Sequence, residues 1–130
     1  DKILYNAALN PLGAVLECTY GRLAEDPGTR QVMDRIIDEI FLVAQAHGMP
    51  LNWRTPEEYR RHFYTKLVPP TAKHFPSMYY DVKAGKRLEI DALNGAIVRL
   101  AYEKGISVPV NETITLLIKS KENLASHRPG

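Results

Sequence analysis

Cysteine is almost missing from the 130-residue chain, since Cys18 is its single example. One cysteine cannot form an internal disulfide, so packing alone has to stabilise the fold, as is usual in a reducing compartment. The composition therefore favours a cytoplasmic protein. Long apolar runs are missing as well: the longest covers residues 40–44, whereas a membrane-spanning helix needs about 20 apolar residues. We expect no membrane partner.

An excess of charge of one sign is also missing. The 17 Lys and Arg residues and the 15 Asp and Glu residues give a net charge of +2, and the two signs are interspersed. A small helical nucleic-acid binder is thus only a third hypothesis, and we expect no nucleic-acid partner. Trp53 and the tyrosines are interpreted as packing residues. The four histidines lack the spacing of metal ligands, so no metal site is predicted.

A dinucleotide-binding motif and a targeting segment are both missing from the sequence. No glycines stand in G-x-G-x-x-G spacing, so the chain has no phosphate loop of the kind that holds a dinucleotide. No targeting segment is visible, and the chain begins at Asp1 already inside an apolar helical pattern. We therefore interpret the sequence as a piece of a longer protein.

Helical patterning with clear helix ends fills the first half of the sequence. Residues 3–16 are nearly all apolar or small, and residues 32–44 repeat apolar side chains at helical spacing. Asp26 is a suitable N-cap for that second helix. Thr55 and Glu58, with a proline between them, form a capping box that opens another helix.

The second half has the same character. Helices are predicted for residues 77–84, for residues 90–101 with Asn94 inside the helix, and after a cap at Asn111. No segment alternates over strand length. The fold class is therefore predicted to be all-α, a single multi-helix, bundle-like domain over residues 1–130.

The first helix carries a polar row in an otherwise apolar surface. Lys2, Asn6 and Asn10 lie four residues apart, so each is displaced by only about 40° around the helix axis. Pro11 removes a helical donor, which leaves the Ala7 carbonyl without its usual partner and should push Asn10 out of helical geometry. Such a row suits a small anionic or carbonyl-bearing ligand. The alternative is that the asparagines bond neighbouring backbone and the lysine extends to solvent.

A second polar segment, LEIDALNG, covers residues 88–95. Glu89 and Asp91 precede a helix, where negative charge is favoured by the helix dipole, and this alone can explain them. Asn94 and Gly95 both weaken a helix, so their presence inside one indicates close packing or a polar contact.

Five motifs in a fixed order give the sequence a recognisable pattern. They are KILYNAALNPL over residues 2–12, GRL over 21–23, PSM over 76–78, EID over 89–91 followed by NG at 94–95, and PVNET over 109–113. In this order they resemble the C-terminal domain of ketopantoate reductases, the 2-dehydropantoate 2-reductases, over nearly the whole chain. Each motif is weak by itself, whereas the set is specific.

The resemblance implies a two-domain, NADPH-dependent reductase of 2-keto acids, whose family role is to make pantoate for pantothenate and coenzyme A. An N-terminal Rossmann domain, absent from this chain, would bind most of the NADPH. The helical domain would bind the keto acid and close over the cleft. By itself it would be inactive, and its partners would be the keto acid, its own Rossmann domain and a second copy in a homodimer.

The resemblance also implies site roles. Lys2 corresponds to the catalytic lysine, and Glu89 to the acidic residue near both the lysine and the cofactor. Asn6, Asn10 and Ser77 correspond to the substrate-binding residues. A retained set of this kind distinguishes the enzyme from the second hypothesis, a catalytically silent helical domain for dimerisation or ligand sensing.

Three positions depart from the family pattern. Tyr20 and His74 stand where relatives often have asparagine, and Pro76 stands where serine is common. The resemblance therefore predicts the reaction class better than the particular 2-keto acid.

Overall fold

The computed structural model describes residues 2–126, and within them all regular structure is helical. The α-helices are α1 (Lys2–Leu16), α2 (Tyr20–Glu25), α3 (Pro27–Ala46), α4 (Pro56–His62), α5 (Ser77–Lys83), α6 (Asn94–Glu103) and α7 (Pro109–Ser126). A π-helical turn covers Phe63–Leu67, and 3₁₀ turns cover Pro69–Thr71 and Ile90–Ala92. The predicted all-α fold class is confirmed. None of the helices in this range is long and apolar enough to cross a membrane.

Several predicted helix ends are confirmed by their hydrogen bonds. The Asp26 carboxylate accepts from the Thr29 amide at 3.0 Å and caps α3. The Thr55 hydroxyl accepts from the Glu58 amide at 3.2 Å and caps α4. Gly105 follows α6 with a φ of 65°, a left-handed conformation that favours glycine.

Other expectations for the helices are wrong in detail. Helix α1 continues through Pro11 instead of breaking at Asn10. Asn111 does not cap α7, which begins two residues earlier, and its side chain is buried. Asn94 is the first residue of α6, after a 3₁₀ turn, and does not lie inside a longer helix. Helix α2 was not predicted, because six residues are too few to establish a helical period.

Helix α1 lies at the centre of the fold and contacts α2, α3, α5 and α7. Leu4, Ala7, Ala8 and Leu9 are fully buried on it, as expected for a helix that is apolar on most sides. The small alanine side chains let neighbouring helices approach its backbone closely. The polar row of α1 therefore stands on the most tightly enclosed helix of the domain.

Candidate active site

The polar row of α1 runs from the surface into the interior. Lys2 is exposed at the start of the helix, Asn6 is half-buried, and Asn10 is buried. Within residues 2–126 the Lys2 ammonium and the Asn6 amide make no hydrogen bond or ion pair. Among the described residues neither asparagine side chain bonds neighbouring backbone, whereas the alternative interpretation required such bonds. These donors are left available to a ligand.

Ser77 meets the inner end of this row. It is the first residue of α5, and its hydroxyl donates to the Asn10 side-chain oxygen over 3.4 Å. Helix α5 is held there because the Pro76 ring packs directly on Gly13 of α1, one helical turn beyond Asn10. The structure thus brings Asn10 and Ser77 together, although 67 residues separate them in the sequence.

Gly13→Ala is expected to separate these two side chains. A Cβ atom at Gly13 would lie 2.7 Å from both Cδ and Cγ of Pro76, and a proline ring cannot rotate away. We expect a loss of roughly 1–3 kcal/mol in the free energy of unfolding, measured by urea denaturation. Gly28→Ala is the control, because its Cβ would meet only the end of the Asp26 side chain, at 3.2 Å, so any cost is limited to the cap of α3. Equal stability of the two variants would contradict the close contact.

Glu89 lies in the second half of the chain, directly before the 3₁₀ turn Ile90–Ala92, and its side chain is exposed. It forms no ion pair with Lys2 within the described residues. Its neighbours anchor the segment: the Leu88 amide donates to the Glu122 carboxylate at 2.7 Å, and Asp91 pairs with Lys119 at 2.9 Å. The action of Glu89 on Lys2 stays a prediction.

A buried side-chain amide supplies a hydrogen bond that the backbone of α1 lacks beside the polar row. Asn94 is fully buried, and its Nδ2 donates to the Ala7 carbonyl at 3.1 Å. This is the carbonyl that Pro11, four residues later, cannot serve. The same Nδ2 donates to the Asn111 side-chain oxygen at 3.0 Å. The polar contact suspected at Asn94 is thus confirmed, and its partner lies on the helix with the candidate site.

Glu39 extends this contact into a buried polar chain. Its carboxylate accepts from the backbone amides of Val110 and Asn111, at 3.0 and 2.9 Å, and from Asn111 Nδ2 at 2.8 Å. An anion at a helix N-terminus is favoured by the helix dipole. The buried polar chain, defined as Glu39, Asn111, Asn94 and the Ala7 carbonyl, therefore joins α3, α7, α6 and α1.

An open groove lies at the outer end of the polar row. We call it the aromatic groove; its walls are Tyr5, Trp53, Tyr59, His62 and Leu67. Lys2 and Asn6 also line it, and its volume is about 660 Å³. Trp53 and Tyr59 were interpreted as packing residues, and no sequence signal connected them with Lys2. Both residues do pack, as the edge-on contact between their rings shows, and the groove that they line beside Lys2 is a feature that sequence reasoning missed.

Of the three departures from the family pattern, the Tyr20 and Pro76 side chains are buried beside this site, and the His74 side chain is exposed. Tyr20 is buried and packs edge-on against Tyr5, with ring centroids 5.9 Å apart. Burial raises the pKa of its hydroxyl to about 12. Its backbone amide donates to the His74 carbonyl at 3.0 Å, and Pro76 fills the space above Gly13. Tyr20 and Pro76 therefore hold the segment that leads to Ser77, and His74 contributes its backbone carbonyl.

The sequence is similar to known proteins over nearly its whole length. Residues 1–122 match the family model described as ketopantoate reductase PanE/ApbA C terminal. The chain belongs to this family. It is 57% identical over 122 residues to the 2-dehydropantoate 2-reductase of Aquifex aeolicus, covering 94% of this chain and 39% of that protein.

Solved structures extend the likeness to the fold. A PanE/ApbA family ketopantoate reductase from Ralstonia eutropha superimposes with a TM-score of 0.85 at 34% identity, over 97% of this chain and 41% of that one. D-mandelate dehydrogenase, solved with NADH and anilino(oxo)acetate, superimposes with a TM-score of 0.86 at 28% identity, over 96% and 40%. The chain thus spans about two-fifths of the length of these relatives.

Proposed function

We propose that this chain is the substrate domain of a two-domain, NADPH-dependent 2-keto acid reductase, with 2-dehydropantoate as its substrate. The observation that carries the proposal is the polar row of α1, in which the Lys2 ammonium and the Asn6 amide lack partners in the described structure while Asn10 meets Ser77. A catalytically silent dimerisation domain would have no physical reason to keep these side chains together. The similarity to 2-dehydropantoate 2-reductases supports the reaction class.

The row provides what reduction of a ketone requires. When bound, the reduced nicotinamide supplies a hydride to the keto carbon. Negative charge then develops on the keto oxygen, where the Lys2 ammonium stabilises it and transfers a proton from Nζ. Asn10 and Ser77 are neutral donors for the neighbouring carboxylate. Asn6, which lies between Lys2 and Asn10 along the helix, is a further amide donor to the substrate.

The cofactor itself fits only partly on this chain. Glu89 is exposed and its carboxylate can accept from a ribose hydroxyl, which is the contact we propose for it. The phosphates would be held by an N-terminal Rossmann domain, since a glycine turn at a helix N-terminus usually does this. The further partners that we propose are this domain and a second copy, as in the dimeric ketopantoate reductase of Staphylococcus aureus.

The direct test is a reduction assay on the complete protein with its nucleotide-binding domain. Oxidation of NADPH is followed by absorbance after addition of 2-dehydropantoate, with NADH as the comparison cofactor. We expect turnover that depends on the keto acid. Absence of turnover with every 2-keto acid tried would refute the proposed function.

The 130-residue chain alone is expected to bind NADPH at least about a hundredfold more weakly than the complete protein, and to have no reductase activity. The reason is that it lacks the glycine turn for the pyrophosphate. Isothermal titration of both proteins with NADPH measures the difference. Equal affinities would show that this chain holds the cofactor unaided.

A further inference from the structure

We infer that Glu122 is a positioning residue, which holds Glu89 in the orientation in which that carboxylate meets the cofactor. This inference rests on the proposed function, because it concerns the contact between Glu89 and a ribose hydroxyl. Glu122 lies in the last part of α7, 34 residues after Leu88, and belongs to none of the five sequence motifs. Its role follows from its contact with the segment that carries Glu89.

The segment around Glu89 has little regular structure of its own. Residues 86–89 are neither helix nor strand, and they connect the end of α5 to the 3₁₀ turn Ile90–Ala92. The backbone groups of such a segment find their hydrogen bonds outside it. Since the Glu89 side chain is exposed, its direction depends on how the residues beside it are held.

Apolar packing holds both neighbours of Glu89. Leu88 and Ile90 are buried in a small apolar cluster, together with Met78 of α5 and Ile118 of α7. This packing fixes the depth of the segment in the fold. Apolar contacts are not directional, however, so they do not fix how the peptide groups beside Glu89 are turned.

The directional contacts come from one face of α7. The Leu88 amide, one residue before Glu89, donates to the Glu122 carboxylate at 2.7 Å. On the other side of Glu89, the Asp91 carboxylate pairs with the Lys119 ammonium at 2.9 Å. Side chains three residues apart on a helix are neighbours, so both contacts come from the same helix face.

Of these two contacts, the one with Glu122 orients Glu89. Lys119 and Asp91 meet through half-exposed side chains, where solvent weakens an ion pair. The Asp91 carbonyl is also held by Arg99 at 2.8 Å, so the segment keeps a second anchor there. Glu122 is half-buried and accepts directly from the backbone, in a charge-assisted hydrogen bond of the stronger kind.

Loss of the Glu122 carboxylate would therefore change the direction of Glu89 more than its depth. A hydrogen bond between a carboxylate and a hydroxyl requires about 2.5–3.0 Å between the two oxygens, so a displacement of about 1 Å removes it. Binding of the cofactor should weaken as a result. Binding of the keto acid should change less, because the polar row of α1 holds it.

The experiment measures the Kd of the complete protein for NADPH by isothermal titration, which requires no turnover. Glu122→Ala removes the acceptor of the Leu88 amide, and Glu122→Gln keeps an oxygen in its place. Glu112→Ala is the matched control, because Glu112 is an exposed glutamate on the same helix. Glu89→Ala is made alone and together with Glu122→Ala.

We expect Glu122→Ala to raise the Kd for NADPH by about tenfold, since it removes the fixed direction of one charged hydrogen-bonding group. Glu122→Gln and Glu112→Ala should stay within about threefold of the unsubstituted protein. When Glu89 is already alanine, Glu122→Ala should change the Kd by less than about twofold, because the side chain that it orients is gone. A merely structural role would weaken binding equally in both backgrounds.

The inference is overturned if Glu122→Ala leaves the Kd unchanged, or if its effect is the same with and without the Glu89 side chain. It also falls if Glu89→Ala alone leaves the Kd unchanged, because the cofactor contact proposed for Glu89 is then wrong. Thermal unfolding midpoints show whether each variant folds. If Glu122→Ala does not fold, Glu122→Asp, which withdraws the carboxylate by one methylene, is judged by the same criteria.

Failure of the proposed function gives a different result. If the complete protein reduces no 2-keto acid while the Kd values follow the expected pattern, the reaction is refuted and the role of Glu122 is supported. If turnover is normal and the Kd values do not follow the pattern, the function stands and the inference alone is overturned.

Discussion

Lys2→Ala is expected to lower kcat of the complete enzyme by roughly a hundredfold to ten-thousandfold, with a smaller change in KM. The ammonium has its strongest interaction with the alkoxide, which exists only as the ketone is reduced, so its loss affects the transition state more than the bound substrate. Steady-state kinetics with 2-dehydropantoate measure both constants. Lys104→Ala is the matched control, since Lys104 is an exposed lysine at the end of α6, away from the polar row.

Three further variants separate the roles within the site. Asn10→Ala and Ser77→Ala should mainly raise KM, because the carboxylate that we propose as their ligand changes little in charge during the reaction. Glu89→Ala should act through Lys2, so a variant lacking both side chains should be little worse than Lys2→Ala alone. A near-normal kcat for Lys2→Ala would contradict the catalytic role of Lys2. If the losses in kcat from Lys2→Ala and Glu89→Ala add in the double variant, Glu89 does not act through Lys2.

Asn94→Ala is expected to lower the free energy of unfolding by about 2–4 kcal/mol, because a buried acceptor left without its donor costs roughly 1–3 kcal/mol. The substitution removes the donor of both the Ala7 carbonyl and the Asn111 side-chain oxygen. Urea denaturation measures the change. Asn52→Ala, at an exposed asparagine in the loop before α4, should change the stability by less than about 0.5 kcal/mol.

A loss no larger than that of the control would mean that the buried polar chain contributes little to stability. If stability falls as expected, KM of the complete enzyme should rise as well, because the Ala7 carbonyl lies between Asn6 and Asn10 on the same helix. A stable variant with an altered KM would separate positioning from folding.

Local patterns were sufficient to predict most of the fold. The caps at Asp26 and Thr55 act over three residues, so their effect is visible in the sequence. The polar row of α1 follows from helical geometry alone. The placement of Ser77 beside that row came from family resemblance, and the structure explains it by the contact of Pro76 with Gly13.

The remaining features depend on contacts between distant residues. Pro11 indicated that the Ala7 carbonyl lacks a partner, but nothing local indicated that the donor would be Asn94, 87 residues away. Glu39 has the sequence context of a solvated helix residue, and only the start of α7 reveals its role. The aromatic groove is assembled from α1, α4 and the segments on either side of α4, so no single pattern contains it.

The buried polar chain also constrains how this sequence can diverge. Hydrogen bonds link Glu39, Asn111 and Asn94 Nδ2, and Asn94 donates to the Ala7 carbonyl in place of the amide that Pro11 lacks. A change at one of these positions therefore leaves a buried group without its partner at the next. We expect related sequences to keep these four residues as a unit or to exchange them in concert. Leu67 of the aromatic groove has no part in these hydrogen bonds, so a change there can alter the shape of the groove while α1 keeps its orientation.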